Sequence, residues 1–132
     1  MSKLVATIKR IQSVDNLNIV TFECENTLLK MMSLELSQSV QVGAKVSLGI
    51  KSTSVGIAKD FSGVLSYSNQ LNVVVKAIEE GELLSSIKLS FASYTLESII
   101  TQDSLMRMNL QVCDRVTAFI KANELSIVEV IA

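Results

Sequence analysis

Apolar residues recur at every second position over several stretches of the chain. Val20, Phe22 and Cys24 alternate with Thr21 and Glu23, and Ile87, Leu89 and Phe91 alternate with Lys88 and Ser90. A period of two places the apolar set on one face, which predicts half-buried strands and not helices. Ser47–Ile50 and Thr117–Ile120 are short β-rich runs, entered through Val42-Gly43-Ala44-Lys45 and Val112-Cys113-Asp114-Arg115, both of which read as tight turns. Glu79, Glu80 and Glu82 around Gly81 read as a solvated hairpin tip. The one helical stretch is Thr101–Met108: Thr101 is placed to cap, Asp103 and Ser104 suit a first turn, and Leu105 and Met108 share a face.

The pattern occurs twice. At a shift of 67, Leu4 pairs with Leu71, Ile8 with Val75, Ile11 with Ile78, Val20 with Ile87 and Phe22 with Leu89. At a shift of 70, Val40 pairs with Leu110, Val42 with Val112, Lys45 with Arg115, Val46 with Val116, Ile50 with Ile120, Lys51 with Lys121 and Ile57 with Ile127. A three-residue insertion between Ser93 and Met108 accounts for the change. The chain therefore reads as two repeats, 2–59 and 64–132. The predicted fold is all-β: two tandem OB-like five-stranded β-barrels, each with at most one short helix, closure removing exposed strand edges. A unit this small buries little apolar surface alone, so the repeats are expected to pack on each other or on another copy, giving a homo-oligomer, dimer or trimer.

Composition narrows the function classes. Hydrophobic residues make up 48% and aromatics only 5%, so the core must be built from Val, Ile and Leu. The formal charge is −1 without a long basic run, which argues against direct nucleic-acid binding. Histidine is absent, which removes the usual zinc sites and every Ser-His or Cys-His nucleophile; no catalytic set can be named, and no enzyme is expected. Neither a signal peptide nor a membrane-spanning apolar run is visible, so a cytoplasmic protein without a membrane partner is expected. Cys24 and Cys113 then read as small buried hydrophobes in a reducing compartment, and the methionines as packing residues and not metal ligands.

Three segments of the second repeat carry a further pattern: the opening run Ser66-Tyr67-Ser68-Asn69, the helix start Ile100-Thr101-Gln102-Asp103-Ser104, and the closing run Ile120-Lys121-Ala122-Asn123-Glu124-Leu125-Ser126-Ile127. In order and spacing they resemble the Mop or TOBE repeat of molbindins and molybdate-responsive regulators. Such repeats open with Ser-Ala-Arg-Asn, carry Ile-Thr-x-x-Ser, and close with Ile-Lys-Ala-x-x-Val-x-Ile. The first repeat is similar in its closing run, Ile50-Lys51-Ser52-Thr53-Ser54-Val55-Gly56-Ile57, and begins past the opening element.

The resemblance implies a tandem pair of barrels that assembles further and binds tetrahedral oxyanions, molybdate or tungstate, at interfaces between repeats or subunits. It implies intracellular storage, buffering or sensing, and no organic cofactor. The oxyanion-binding candidates carried over are Lys51, Ser52, Thr53 and Ser54, Ser66, Ser68 and Asn69, Thr101 and Ser104, and Lys121 and Ala122. The lysines would supply charge, the hydroxyls would donate, and Ala122 would act through its backbone N–H. No residue is a direct ligand to a metal cation. By residue type alone, Lys51 and Lys121 equally suit solvated strand ends, Ser52–Ser54 a polar turn, and Ser66–Asn69 a linker. Ser68 replaces the family's Arg, and Glu124 brings a carboxylate that would oppose a bound dianion. The alternative is a regulatory or interaction module derived from a molybdate-responsive regulator or transporter subunit, acting through protein contacts with little or no oxyanion binding.

Overall fold

Side-chain alternation is written directly into the strands. The computed structural model describes residues 1–132 and contains ten strands: β1 (Ser2–Val14), β2 (Leu17–Cys24), β3 (Thr27–Ser33), β4 (Lys45–Ile50), β5 (Gly56–Ala58), β6 (Asn69–Glu79), β7 (Leu84–Phe91), β8 (Tyr94–Thr101), β9 (Arg115–Ile120) and β10 (Leu125–Val130). One helix, α1 (Gln102–Arg107), follows β8. Leu71, Val73 and Val75 of β6 point inward, as do Leu4, Ala6 and Ile8 of β1, while the residues between them face out.

The two long strands do double service. The first part of β1 pairs with β4 and its second part with β2; β6 does the same with β9 and β7. Each register shifts where the partner changes, between Ile8 and Arg10 in β1 and between Val75 and Ala77 in β6. An unpaired extra residue bends a strand, and here it turns each long strand from one side of its barrel to the other.

The sheets cut across the sequence repeat. Their orders are β10-β4-β1-β2-β3 and β5-β9-β6-β7-β8. Strand β10, from the second half, pairs antiparallel with β4, setting Leu125 opposite Ile50 and Ser126 opposite Gly49. In return β5, from the first half, pairs with β9, setting Gly56 opposite Phe119. Each five-stranded barrel thus receives its closing strand from the other half. Val55 and Leu125, at the equivalent crossing points, are both buried, and one continuous cluster of 25 buried apolar residues runs through both barrels.

The all-β, OB-like architecture with one short helix is as the alternation predicts. The helix also starts where expected: the Thr101 hydroxyl accepts from the Ser104 N–H at 3.1 Å, and Leu105 is the residue that α1 buries. The turns before β4 and β9 superpose in their bonding. Gly43 N–H donates to Ile8 C=O and Cys113 N–H to Val75 C=O, both at 2.8 Å. Gly43 and Cys113 share a left-handed backbone, with φ of 93° and 78°. Cys24 is buried as expected, and its thiol is pushed up to about 11 by burial and by the nearby Glu25 carboxylate. Cys113 is exposed instead, because its turn is held by the backbone and carries the side chain on the surface.

Candidate functional site

The closing runs form two copies of one local structure. After the buried Ile50 and Ile120, Lys51 and Lys121 stay extended, with φ, ψ of −71°, 138° and −69°, 147°. The chain then makes a single 3-10 turn, Ser52–Ser54 in the first half and Ala122–Glu124 in the second. Each turn is closed by a backbone bond of 2.9 Å, from Ser54 N–H to Lys51 C=O and from Glu124 N–H to Lys121 C=O, and the first adds a longer one of 3.5 Å from Val55 N–H to Ser52 C=O. A turn of this kind leaves its leading N–H groups without a partner inside the turn. Lys51 and Lys121 are both exposed, and neither joins an ion pair. Each turn therefore offers an ammonium and main-chain donors on a rigid base, which is a suitable surface for a small anion.

Two of the three hydroxyls of the first turn, those of Ser52 and Ser54, are engaged by carboxylates. Ser54 Oγ donates to Glu124 Oε2 at 2.9 Å, which links the two closing turns directly. Glu124, which the sequence alone sets against a bound anion, thus has a donor within the chain. Ser52 Oγ donates to Glu97 Oε1 at 2.8 Å, and the other oxygen of Glu97 accepts from Ser86 Oγ at 2.6 Å and Lys88 Nζ at 2.7 Å. The Lys88 bond, then those from Ser86 and Ser52, hold the Glu97 carboxyl down at about 2. The main-chain N–H of Glu97 donates to Ser2 Oγ at 3.0 Å.

The remaining candidates divide among different tasks. Asn69 is fully buried and clips the backbone of Lys30 in β3: its Oδ1 accepts the Lys30 N–H at 2.6 Å and its Nδ2 donates to the Lys30 C=O at 2.9 Å. Thr101 and Ser104 bond each other at the start of α1, and Arg107 Nη2 donates to Ser104 Oγ at 3.1 Å. Ser104 also borders a shallow groove with Lys59, Arg107 and Phe119. Ser66 and Ser68 are exposed on the connection between β5 and β6. The structure gathers Lys51, Ser52, Thr53 and Ser54 on one turn and Lys121 and Ala122 on the other, with Ser54 bridging to Glu124; Thr101 and Ser104 form a separate cap.

Sequence reasoning did not single out Glu97, Ser86, Lys88 or Ser2. On their strands Glu97, Ser86 and Lys88 occupy the polar positions of the alternation and look like solvated side chains. Ser2 did carry a signal, since the shift of 67 that matches the apolar residues places it on Asn69. Both residues reach from the start of a long strand to the outer strand of the other barrel.

Comparison with known proteins adds the family. Residues 65–127 match the model of the TOBE domain. The fold matches the crystal structure of the cytoplasmic molybdate-binding protein ModG, solved with molybdate bound, with a TM-score of 0.88 at 23% identity, covering 95% of this chain and 93% of that one. At that identity the likeness is one of fold. A molybdate-binding protein from Sporomusa ovata is 31% identical over 51% of this chain and 100% of its own, with a TM-score of 0.49. No curated protein sequence matches. Residues 65–127 thus belong to the TOBE domain family, and the first half of the chain is built on the same strand plan.

Proposed function

We propose that the protein binds tetrahedral oxyanions, molybdate or tungstate, at its closing turns, and serves intracellular storage, buffering or sensing of the anion without an organic cofactor or catalysis. The observation that carries this reading is the duplicated turn: an unpaired, exposed lysine followed by free main-chain donors, in the same geometry in both halves. The fold shared with ModG, whose structure contains molybdate, supports it. Lys51, Thr53, Lys121 and the Ala122 N–H are the donors that the chain leaves open, with Ser66 and Ser68 exposed beside the second barrel.

An open turn surrounds an anion on one side only, and desolvating a dianion requires donors on several sides. The cage is therefore completed by a second copy of the chain, and the protein works as a homo-oligomer, a dimer or a trimer. Calorimetric titration of the folded protein with molybdate, tungstate and sulfate checks the function. Saturable heat with molybdate or tungstate is expected, reduced at least tenfold in affinity by Lys121→Ala. Silence with all three anions would contradict it.

One observation favours a second reading, a module that acts through protein contacts with little anion binding. Carboxylates of the chain itself already take the Ser52 and Ser54 hydroxyls. Under that reading, partner capture from lysate is indifferent to added molybdate.

A further inference from the structure

Three donors from two separate elements converge on Glu97. Ser52 comes from the first-half closing turn, Ser86 and Lys88 from β7, and Glu97 itself stands on the neighbouring strand β8. Two hydroxyls and an ammonium around a pair of oxygens make a small anion site, and the carboxylate fills it. The side chains of Lys88 and Glu97 retain 43% and 29% of their exposure, so the position is open to solvent from one side. The arrangement is not duplicated: at the equivalent places stand Lys30 for Glu97, Ala122 for Ser52, Ile19 for Ser86 and Thr21 for Lys88.

We infer that Ser52, Ser86 and Lys88 form an inorganic-oxyanion site whose resident occupant is the chain's own Glu97 carboxylate, which keeps the first-half turn from taking a free anion there. The side chain is tethered to β8, so its effective concentration at these donors is far above that of any dissolved anion. Its charge also repels a second anion approaching the same lysine. The two halves are then unequal in ligand capacity although their backbones match. The class of ligand rests on the proposed oxyanion function; the occupancy by Glu97 rests on the bonds alone.

The Glu97→Ala protein, shown to be folded by circular dichroism, is titrated with molybdate and with sulfate beside the unaltered protein. One additional equivalent of anion per chain is expected in the variant, and it is expected to disappear in Glu97→Ala/Lys88→Met. If Glu97→Ala does not fold, Glu97→Ser keeps a polar side chain on β8, vacates the carboxylate position and is read in the same way. Unchanged stoichiometry in the folded variant overturns the inference, as does an added equivalent that survives loss of Lys88. Binding by the unaltered protein with no increase in the variant rejects the resident carboxylate and leaves the proposed function standing. Binding by the variant alone supports the resident carboxylate and rejects the proposed function.

Discussion

The two halves of the molecule share a backbone plan and solve its packing differently. In one barrel Gly56 of the exchanged strand lies under the Phe119 ring; in the other, the equivalent pair is Ser126 opposite Gly49. Large meets absent in the first case and small meets absent in the second, so the same crossing is filled by a ring from β9 in one barrel and by Val128 and Met1 in the other. The clips that join the barrels differ as well. Asn69 makes two bonds to the backbone of Lys30, whereas Ser2 accepts one from Glu97, and only the Ser2 side adds a carboxylate network. Duplication fixes where the chain goes, and residue identity decides which half carries stiffness, charge and open donors.

The comparison is broken most severely at Asn69. Asn69→Ala leaves a main-chain donor and an acceptor of β3 without their buried partner and is expected to cost about 2–3 kcal/mol in urea denaturation, against about 1 kcal/mol for Ser2→Ala. Equal losses would mean that the two clips are interchangeable. Next in size is Gly56→Ala. Its new methyl would overlap the Phe119 ring, and a loss of about 2 kcal/mol is expected from the displaced ring. Ser126→Ala, at the equivalent place, is expected to change stability by less than about 0.5 kcal/mol.

The Glu97 network sharpens the comparison through pH. A carboxyl held at about 2 in the folded chain and near 4.5 when unfolded stabilises the fold fully above the upper value, and that stability is lost as pH falls toward the lower one. Glu97→Gln is therefore expected to be less stable than the parent by about 1 kcal/mol at pH 7 and nearly equal to it at pH 2.5, read from denaturation midpoints. A gap that does not change with pH would remove the ionised carboxylate from the explanation. The smallest effect is a gain. Cys113 holds the left-handed conformation that Gly43 holds in the first half, so Cys113→Gly is expected to raise stability by up to about 1 kcal/mol, and Gly43→Ala to lower it by a similar amount.

Much of this molecule is legible in its residues, for reasons that also mark where legibility ends. Alternation at Val20–Cys24 and Ile87–Phe91 specifies strands because one face must be buried, and the paired shifts of 67 and 70 specify two copies of one barrel. Thr101 announces its helix because a hydroxyl ahead of a free N–H is a local matter. The strand exchange leaves no such trace: β5 is only three residues long and β10 six, and neither run says which barrel receives it. Glu97 is invisible for a related reason. Its partner Ser52 lies 45 positions away, and on its own strand it occupies an ordinary outward position. Asn69 illustrates a residue whose place in a motif is readable and whose task is not, since a buried amide clipping another strand and an exposed ligand donor look alike in one dimension.

The most direct measurement is an anomalous-scattering map from crystals grown with tungstate. Peaks are expected beside the closing turns, within bonding reach of Lys121 or Lys51 and the main-chain N–H groups that follow them, with a second chain completing each cage. Peaks confined to other surfaces, or a fully ordered protein with no tungsten at either turn, would contradict oxyanion binding at the duplicated turns.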